Sequence, residues 1–408
     1  MRQDAQVRRL VLVVSAVVFV DTMFYAVIAP LLPSLAHELH LSKLSAGLMT
    51  ASYAIGTLAG SLPGGVLAVR AGPKFTVCVG LALLACSTVA FALLHNAALL
   101  DVARFVEGVG GACSWAGGLA WIVAETPADR RGAMIGRALG AAIGGALFGP
   151  VIGTVATATG RPAAFGVLVL AALLLIVAAA RLPSHHVESR QGIGNLTRAL
   201  RGPGVAIGMW LVALPALASG LLNVLGPLRL HRLGAAAAAI GATYLVAAAI
   251  EAVISPAVGS LSDRRGRIAP LRFGLVAATA TLLCFTLPGA PLPLALVIVA
   301  VCAALGVFWA PAMAMLSDAA EADGLDQGLA AALMNLAWAG GQIVGSGGGG
   351  AAAKIAGDGL PIAVTAALCA VTLLALSRTS GVPRRKIALS ARATSGPTAA
   401  PDRPRSRA

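Results

Sequence analysis

The sequence predicts an all-α membrane protein in which twelve transmembrane helices form two pseudo-symmetric six-helix bundles. Three observations carry that prediction: an unusually apolar composition, a series of apolar runs of bilayer-spanning length, and an internal repeat at an offset near half the chain. Hydrophobic residues make up 58% of the 408 residues and charged residues only 11%, and mean hydropathy is +0.87. A soluble domain carries roughly a quarter charged residues, so this chain lacks the polar surface to cover a globule. One crossing needs about 20 apolar residues.

Hydropathy divides the chain into spans at 10–36, 43–68, 75–95, 98–124, 133–159, 163–181, 204–230, 236–260, 271–290, 292–317, 329–356 and 360–378. The first run continues past Asp21 with no cleavage site, which reads as a retained span and not a signal peptide. Residues 1–181 form a first six-helix half, 182–203 a cytoplasmic linker, 204–378 a second half, and 379–408 a basic tail with no apolar face to bury. All but six of the 30 Lys and Arg fall in segments on one side of the membrane; the exceptions are Lys43, Arg104, Arg161, Arg229, Arg232 and Lys354. The positive-inside rule makes that side cytoplasmic, with both termini there, in the cell membrane. The net charge of +14 is thereby accounted for without nucleic acid, and the tail arginines have anionic lipid to lie against.

The repeat gives the organisation. GVLAVRAGPK from Gly65 is echoed by GSLSDRRGRI from Gly259, 194 positions later, and Trp115 recurs as Trp309 at the same offset. Glu125 matches Glu321 and Gly149 matches Gly345 at 196, and Pro30 matches Pro227 at 197. Two related halves of this kind are the layout of many secondary transporters, whose substrate site lies near the midplane between them.

Charges inside the spans are sparse: Asp21, Arg104, Glu107 and Glu251. Each costs several kcal/mol in the bilayer unless paired or wet, roughly 2.5–3.5 on insertion scales. At 1.5 Å per residue, Asp21 lies roughly 16 Å beyond Leu10, Glu107 roughly 14 Å beyond Ala98, and Glu251 roughly 12 Å before Gly259. The three carboxylates therefore converge on the midplane. Arg104 and Glu107 share a helix face, which fits either a structural ion pair or a proton-coupling pair. Asp21 and Glu251 have no sequence-local cation, which favours a functional role. Tyr25, Trp115, Asn223, Trp309, Asn335, Trp338 and Gln342 lie at similar depth and are candidates to line a cavity; Tyr25, four residues from Asp21, shares its face. A carboxylate flanked by aromatic rings suits a hydrophobic cation, although plain packing explains any single Trp as well.

Other signals are discounted. His37 and His40 flank a short loop, His185 and His186 lie in the linker, and neither pair has further metal ligands nearby. The six cysteines read as small buried hydrophobes. GSGGGG at 345–350 follows no strand and reads as close helix contact, not a phosphate loop. Asp318, Glu321, Asp323 and Asp326 read as a solvated acidic loop able to attract basic loops opposite. No cofactor and no metal is expected.

These landmarks resemble the major facilitator superfamily over nearly the whole chain. Its G-x-L-x-D-R-x-G-R gate motif stands complete at Gly259, Leu261, Asp263, Arg264, Gly266 and Arg267. In the first half Gly65, Arg70, Gly72 and Lys74 remain, with Val69 in the Asp place. The resemblance implies a charged latch on the cytoplasmic side. Gly136, Gly145, Gly149, Pro150 and Gly153 are similar to the antiporter motif of drug/proton antiporters, with Thr154 replacing the usual final Gly. FVDTMFYAVIAPLLPSL looks like the first helix of vesicular amine transporters and bacterial multidrug relatives, in which an Asp faces the substrate cavity; Asp21 matches it. RFVEGVGGA is similar to the family's R-x-x-Q-G motif, with Glu107 in the Gln place. The resemblance implies a non-enzymatic, monomeric, proton-coupled antiporter exporting a small amphipathic or cationic compound. The alternatives are an exporter or importer of a sugar or other metabolite, and a non-transporting membrane sensor.

Overall fold

The structure, a computed structural model, describes residues 2–127, 130–184, 202–325 and 327–379. The linker at 182–203 and the tail from 379 fall almost wholly outside the described residues, as do His185 and His186. The described chain is all helix, and its breaks have local causes. The first crossing is two helices, α1 (Arg2–Ala26) and α2 (Ile28–Glu38). Pro30 has no N–H for the Ala26 carbonyl, and Pro33 follows within a turn. Ser42 caps α3 (Lys43–Arg70), its Oγ accepting the Ser45 N–H at 3.2 Å. Next come α4 (Pro73–Leu93), α5 (Ala97–Glu125), whose cap Asn96 accepts the Leu99 N–H at 3.2 Å, α6 (Arg131–Thr159) and α7 (Arg161–Ala180).

The second half begins with α8 (Pro203–Arg232) and α9 (Ala237–Arg265), followed by α10 (Ile268–Leu283) with a short 3₁₀ turn and α11 (Pro291–Ala322). Its eleventh crossing is α12 (Gln327–Ile343), a π turn at Val344–Gly348, and α13 (Gly349–Ala356); α14 (Gly359–Thr379) completes it. Among the described residues, ten helical stretches are long and apolar enough to cross a membrane. The remaining two crossings are α5, diluted by Asp101, Arg104, Glu107 and its glycines, and the split α12–α13. The chain is thus a multi-pass membrane protein, and an even number of crossings puts both ends on one face.

The repeat recurs in backbone geometry. Gly72 and Gly266, 194 positions apart in the sequence, stand at φ 96°, ψ 153° and φ 91°, ψ 153°. Both close the loop after the second helix of their half, in a conformation that L side chains resist. One expectation fails nearby. Asp318 and Glu321 belong to the last turns of α11, which runs on to Ala322; they are helical residues and not a loop.

Small residues set the packing. A Cβ on Gly56 would strike the Phe105 carbonyl and one on Gly108 the Tyr53 carbonyl, so α3 and α5 touch backbone to backbone. In the second half, Gly341 and Gly345 seat α12 and the π turn on α8 against the Ala213 and Leu217 carbonyls. Between the halves, a Cβ on Gly47 of α3 would strike the Ser346 carbonyl and stand 3.2 Å from Gly350 Cα. A Cβ on Gly241 of α9 would strike Thr154 Oγ1 and stand 3.2 Å from the Pro150 carbonyl on α6. These cross-half approaches all lie toward the face opposite the chain ends. Nearer the chain ends, Gly65, Gly136, Gly140, Gly259 and Gly340 have nothing within 4 Å of a Cβ. The halves close on the face opposite the termini.

Candidate functional site

Asp21, on α1, is 1% exposed and its carboxylate is held from two other helices. Tyr53 on α3 donates its hydroxyl to Oδ1 at 3.2 Å, and Trp115 on α5 donates Nε1–H to Oδ2 at 2.7 Å. Both donors are neutral. The seat exists because residue 111 is glycine: a Cβ there would stand 2.5 Å from Asp21 Oδ1 and 2.8 Å from the Tyr53 hydroxyl. The same α5 brings Arg104 and Glu107 into the interior, 1% and 4% exposed. Arg104 Nη1 donates to Glu107 Oε2 at 2.9 Å and to the Phe24 carbonyl at 3.0 Å. Its guanidinium carbon lies 5.0 Å from the Tyr53 ring centroid, and Glu107 is within electrostatic reach of Asp21. Arg104 Nε and Nη2 are buried without a hydrogen-bond partner among the described residues.

Tyr25 extends this cluster across to the second half. Its ring lies between those of Tyr53 and Trp338, 5.3 Å from each by centroid, and its hydroxyl accepts a hydrogen bond from Asn223 Nδ2 at 3.2 Å. Tyr25 therefore bridges to α8 and α12 while Tyr53 and Trp115 take the carboxylate of Asp21. Gln342 is buried and donates to Ser219 Oγ at 2.9 Å. Glu251, on α9, is half-buried, packs over Gly306 of α11, and makes no hydrogen bond or ion pair with any described residue. It is within electrostatic reach of Tyr25. Trp309 and Asn335 are half-buried and likewise make no hydrogen bond to a described residue.

Sequence reasoning missed Tyr53 and Gly111. Tyrosine is scarce in this chain, with three in all, and all three lie within spans, Tyr53 and Tyr244 buried and Tyr25 half-buried; that scarcity was the available signal. The glycines of the fifth span divide. Gly145, Gly149 and Gly153 press on the Phe19, Met23 and Val27 carbonyls, so α6 lies directly on the helix that carries Asp21, whereas Gly136 faces open space. Pro150 is buried, and its carbonyl accepts the Thr154 hydroxyl at 2.8 Å.

At the face bearing the chain ends, Arg267 of the complete gate motif forms an ion pair with Asp318, the residue first read as solvated loop. In the first half, Lys74 Nζ donates to the Leu182 carbonyl at 2.8 Å. The side chain of Asp263 lies outside the described residues, and Arg264 is exposed. A Cβ on Gly65 or Gly259 would meet nothing within 4 Å, while Arg70 ends α3. The described residues hold no group of three or more potential metal ligands. All six cysteines are free, and Cys86 and Cys284 are exposed on the outer surface of the bundle and not buried. On helices this apolar, that surface is where lipid lies.

The model of the Major Facilitator Superfamily matches residues 14–320 and 216–404. Among curated proteins, the quinolone resistance protein NorA of Staphylococcus aureus (strain MRSA252) is 28% identical over 119 residues, 29% of this chain and 31% of that protein. The same protein in strain Mu50 is 32% identical over 92 residues, 22% of this chain and 24% of that protein. An uncharacterized MFS-type transporter of Schizosaccharomyces pombe is 31% identical over 129 residues, 30% of this chain and 29% of that protein. The chain thus covers under a third of the length of these relatives. Among solved structures, the xylose transporter XylE from E. coli, in a partially occluded inward open conformation, superposes with a TM-score of 0.73 at 16% identity, covering 93% of this chain and 100% of that one. A D-xylose-proton symporter does so with a TM-score of 0.73 at 18% identity, covering 90% and 96%. At such identities the likeness is one of fold. With paired six-helix halves, a repeated gate loop and a family model matched across most of its length, the chain belongs to the major facilitator superfamily.

Proposed function

We propose that the protein is a proton-coupled antiporter that exports a small amphipathic or cationic compound, from a cell membrane in which both termini face the cytoplasm. The observation that carries this reading is the setting of Asp21. A buried carboxylate is held by neutral donors only, the aromatic side chains of Tyr53 and Trp115, and the Tyr53 ring continues through Tyr25 to Trp338. An anion in that place attracts a cation, and the neighbouring rings favour a hydrophobic one. The partial similarity to the quinolone resistance protein NorA supports the efflux reading.

Coupling follows from the cost of charge in the bilayer. A proton and a cationic substrate compete for the same carboxylate, and either one neutralises it. The empty, ionised site resists the rocking of one half on the other, because that movement carries a bare charge through a low-dielectric interior. Proton entry from outside thereby drives substrate release outward. Glu251 and the Arg104–Glu107 pair supply further exchangeable charge near the interface between the halves.

The test is Asp21→Asn. Inverted membrane vesicles energised by respiration are supplied with ethidium as the probe cation. Wild type is expected to accumulate the dye in a protonophore-sensitive way; the variant, inserted at the same level, is expected not to. Undiminished accumulation by the variant removes Asp21 from the coupling step.

A further inference from the structure

Asp358 occupies the turn between α13 and α14 on the face opposite the chain ends, with its side chain 5% exposed. Three cations converge on it. Lys43, the first residue of α3, reaches across from the other half and donates Nζ to Oδ1 at 2.5 Å. Arg232, at the end of α8, is ion-paired to Oδ2, and Arg229 Nη1 lies 3.9 Å from the same oxygen. Directly beneath, a Cβ on Gly350 would stand 2.6 Å from the Lys43 carbonyl, and one on Gly47 would strike the Ser346 carbonyl. Both the backbone and the side chain of Lys43 are therefore engaged by the second half.

The membership of the cluster is lopsided. Arg232 and Arg229 belong to the same half as Asp358 and stay with it however the halves move. Lys43 alone comes from the first half, and at 26% side-chain exposure its ammonium has water to return to. When Lys43 departs, the carboxylate keeps two guanidinium groups and never stands bare. A clasp of this design releases cheaply, since no buried charge is orphaned on opening.

We propose that Lys43 is the detachable member of an outer clasp, with Asp358 on its Arg232–Arg229 seat as the receptor, and that this contact holds the opposite face shut while the binding site communicates with the termini face. The clasp rests on the alternating-access reading above, and it makes Lys43 and Asp358 positioning residues that act through the closure of the α3 and α13 ends.

The measurement is the distance distribution between spin labels at His40→Cys and Lys354→Cys, in the full chain lacking its native cysteines and reconstituted in lipid nanodiscs. Lys43→Gln is expected to raise the ratio of long to short distances roughly fivefold, the upper range for a partly exposed ion pair. Lys43→Arg is expected to keep the short distance dominant, and Asp358→Asn, which leaves three cations facing one another, to lengthen it further. Distributions for Lys43→Gln and Asp358→Asn that match the parent overturn the clasp. Ethidium flux in vesicles, run alongside, separates the two readings. Flux with unresponsive distances removes the clasp and leaves the transporter, whereas responsive distances without proton-linked ethidium flux keep the clasp and remove cation export.

Discussion

Gly111→Ala tests the seat of Asp21 with a single methyl group. Built on the native backbone, that methyl lies 2.5 Å from Asp21 Oδ1, 2.8 Å from the Tyr53 hydroxyl and 3.3 Å from Asp21 Cγ. An ordinary carbon–oxygen contact needs upward of about 3.3 Å, so the carboxylate has to retreat by most of an ångström. The Tyr53 hydrogen bond, already 3.2 Å long, does not survive that displacement. A hydrogen bond to a charged acceptor contributes about 1.5–3 kcal/mol. The seated geometry is thus disfavoured roughly 10- to 100-fold, and proton-coupled ethidium exchange in proteoliposomes should slow by a comparable factor. Folding is not expected to suffer much, because alanine is a better helix former than glycine by about 0.5–1 kcal/mol. Gly136→Ala is the control, since nothing lies within 4 Å of its methyl. Parent-like exchange in Gly111→Ala at equal protein density would refute the claim that the carboxylate must sit where it does.

Two further expectations follow from other charges. Arg104→Ala strands Glu107 in the interior without its guanidinium and should cost about 3–5 kcal/mol of stability. The Arg104→Ala, Glu107→Ala double variant strands nothing and should recover much of that loss in thermal unfolding in detergent; equal losses in single and double variants would contradict the pairing. At the outer clasp, burial alone pushes the Asp358 carboxyl up, but hydrogen bonds from Lys43 and Arg232 outweigh it and hold the group below the ordinary carboxylate value. Its stabilising contribution is therefore complete above that ordinary value and is lost only as pH falls through the depressed one. The carboxyl band of Asp358 in difference infrared spectra, assigned by its loss in Asp358→Asn, should not titrate between about pH 5 and 8, and a titration inside that window would mean that Asp358 is not held by its cations.

Much of the fold is legible because its causes are local. Apolar runs mark the crossings, Pro30 and Pro33 break the first one, and Gly72 and Gly266 share one backbone conformation because the repeat places glycine at both. Asp21, Glu107 and Glu251 are recognisable as charges without business in a bilayer. What stays hidden depends on partners distant in sequence. The donors to Asp21 come from Tyr53 and Trp115 on other helices, and nothing in the run around Gly111 announces that a methyl there would collide with a carboxylate. Asp358 looks like an ordinary loop acid until Lys43 arrives from the other end of the chain. Asp318 reads as solvated because hydropathy ends a span where apolar residues stop, while the helix itself continues until Ala322 and presents the carboxylate to Arg267.

Both donors to Asp21 ride on the same half as the carboxylate. A rigid swing of one half against the other leaves those bonds intact and severs what Tyr25 makes with Asn223 and Trp338. Under the proposed exchange, the seat of the carboxylate is then the same at either end of the journey, and only its occupant changes, from guest to proton. What the swing alters is the far bank, where Asn223 and Trp338 meet Tyr25, so these side chains should set the balance between the two facing states while leaving the grip of the carboxylate unchanged.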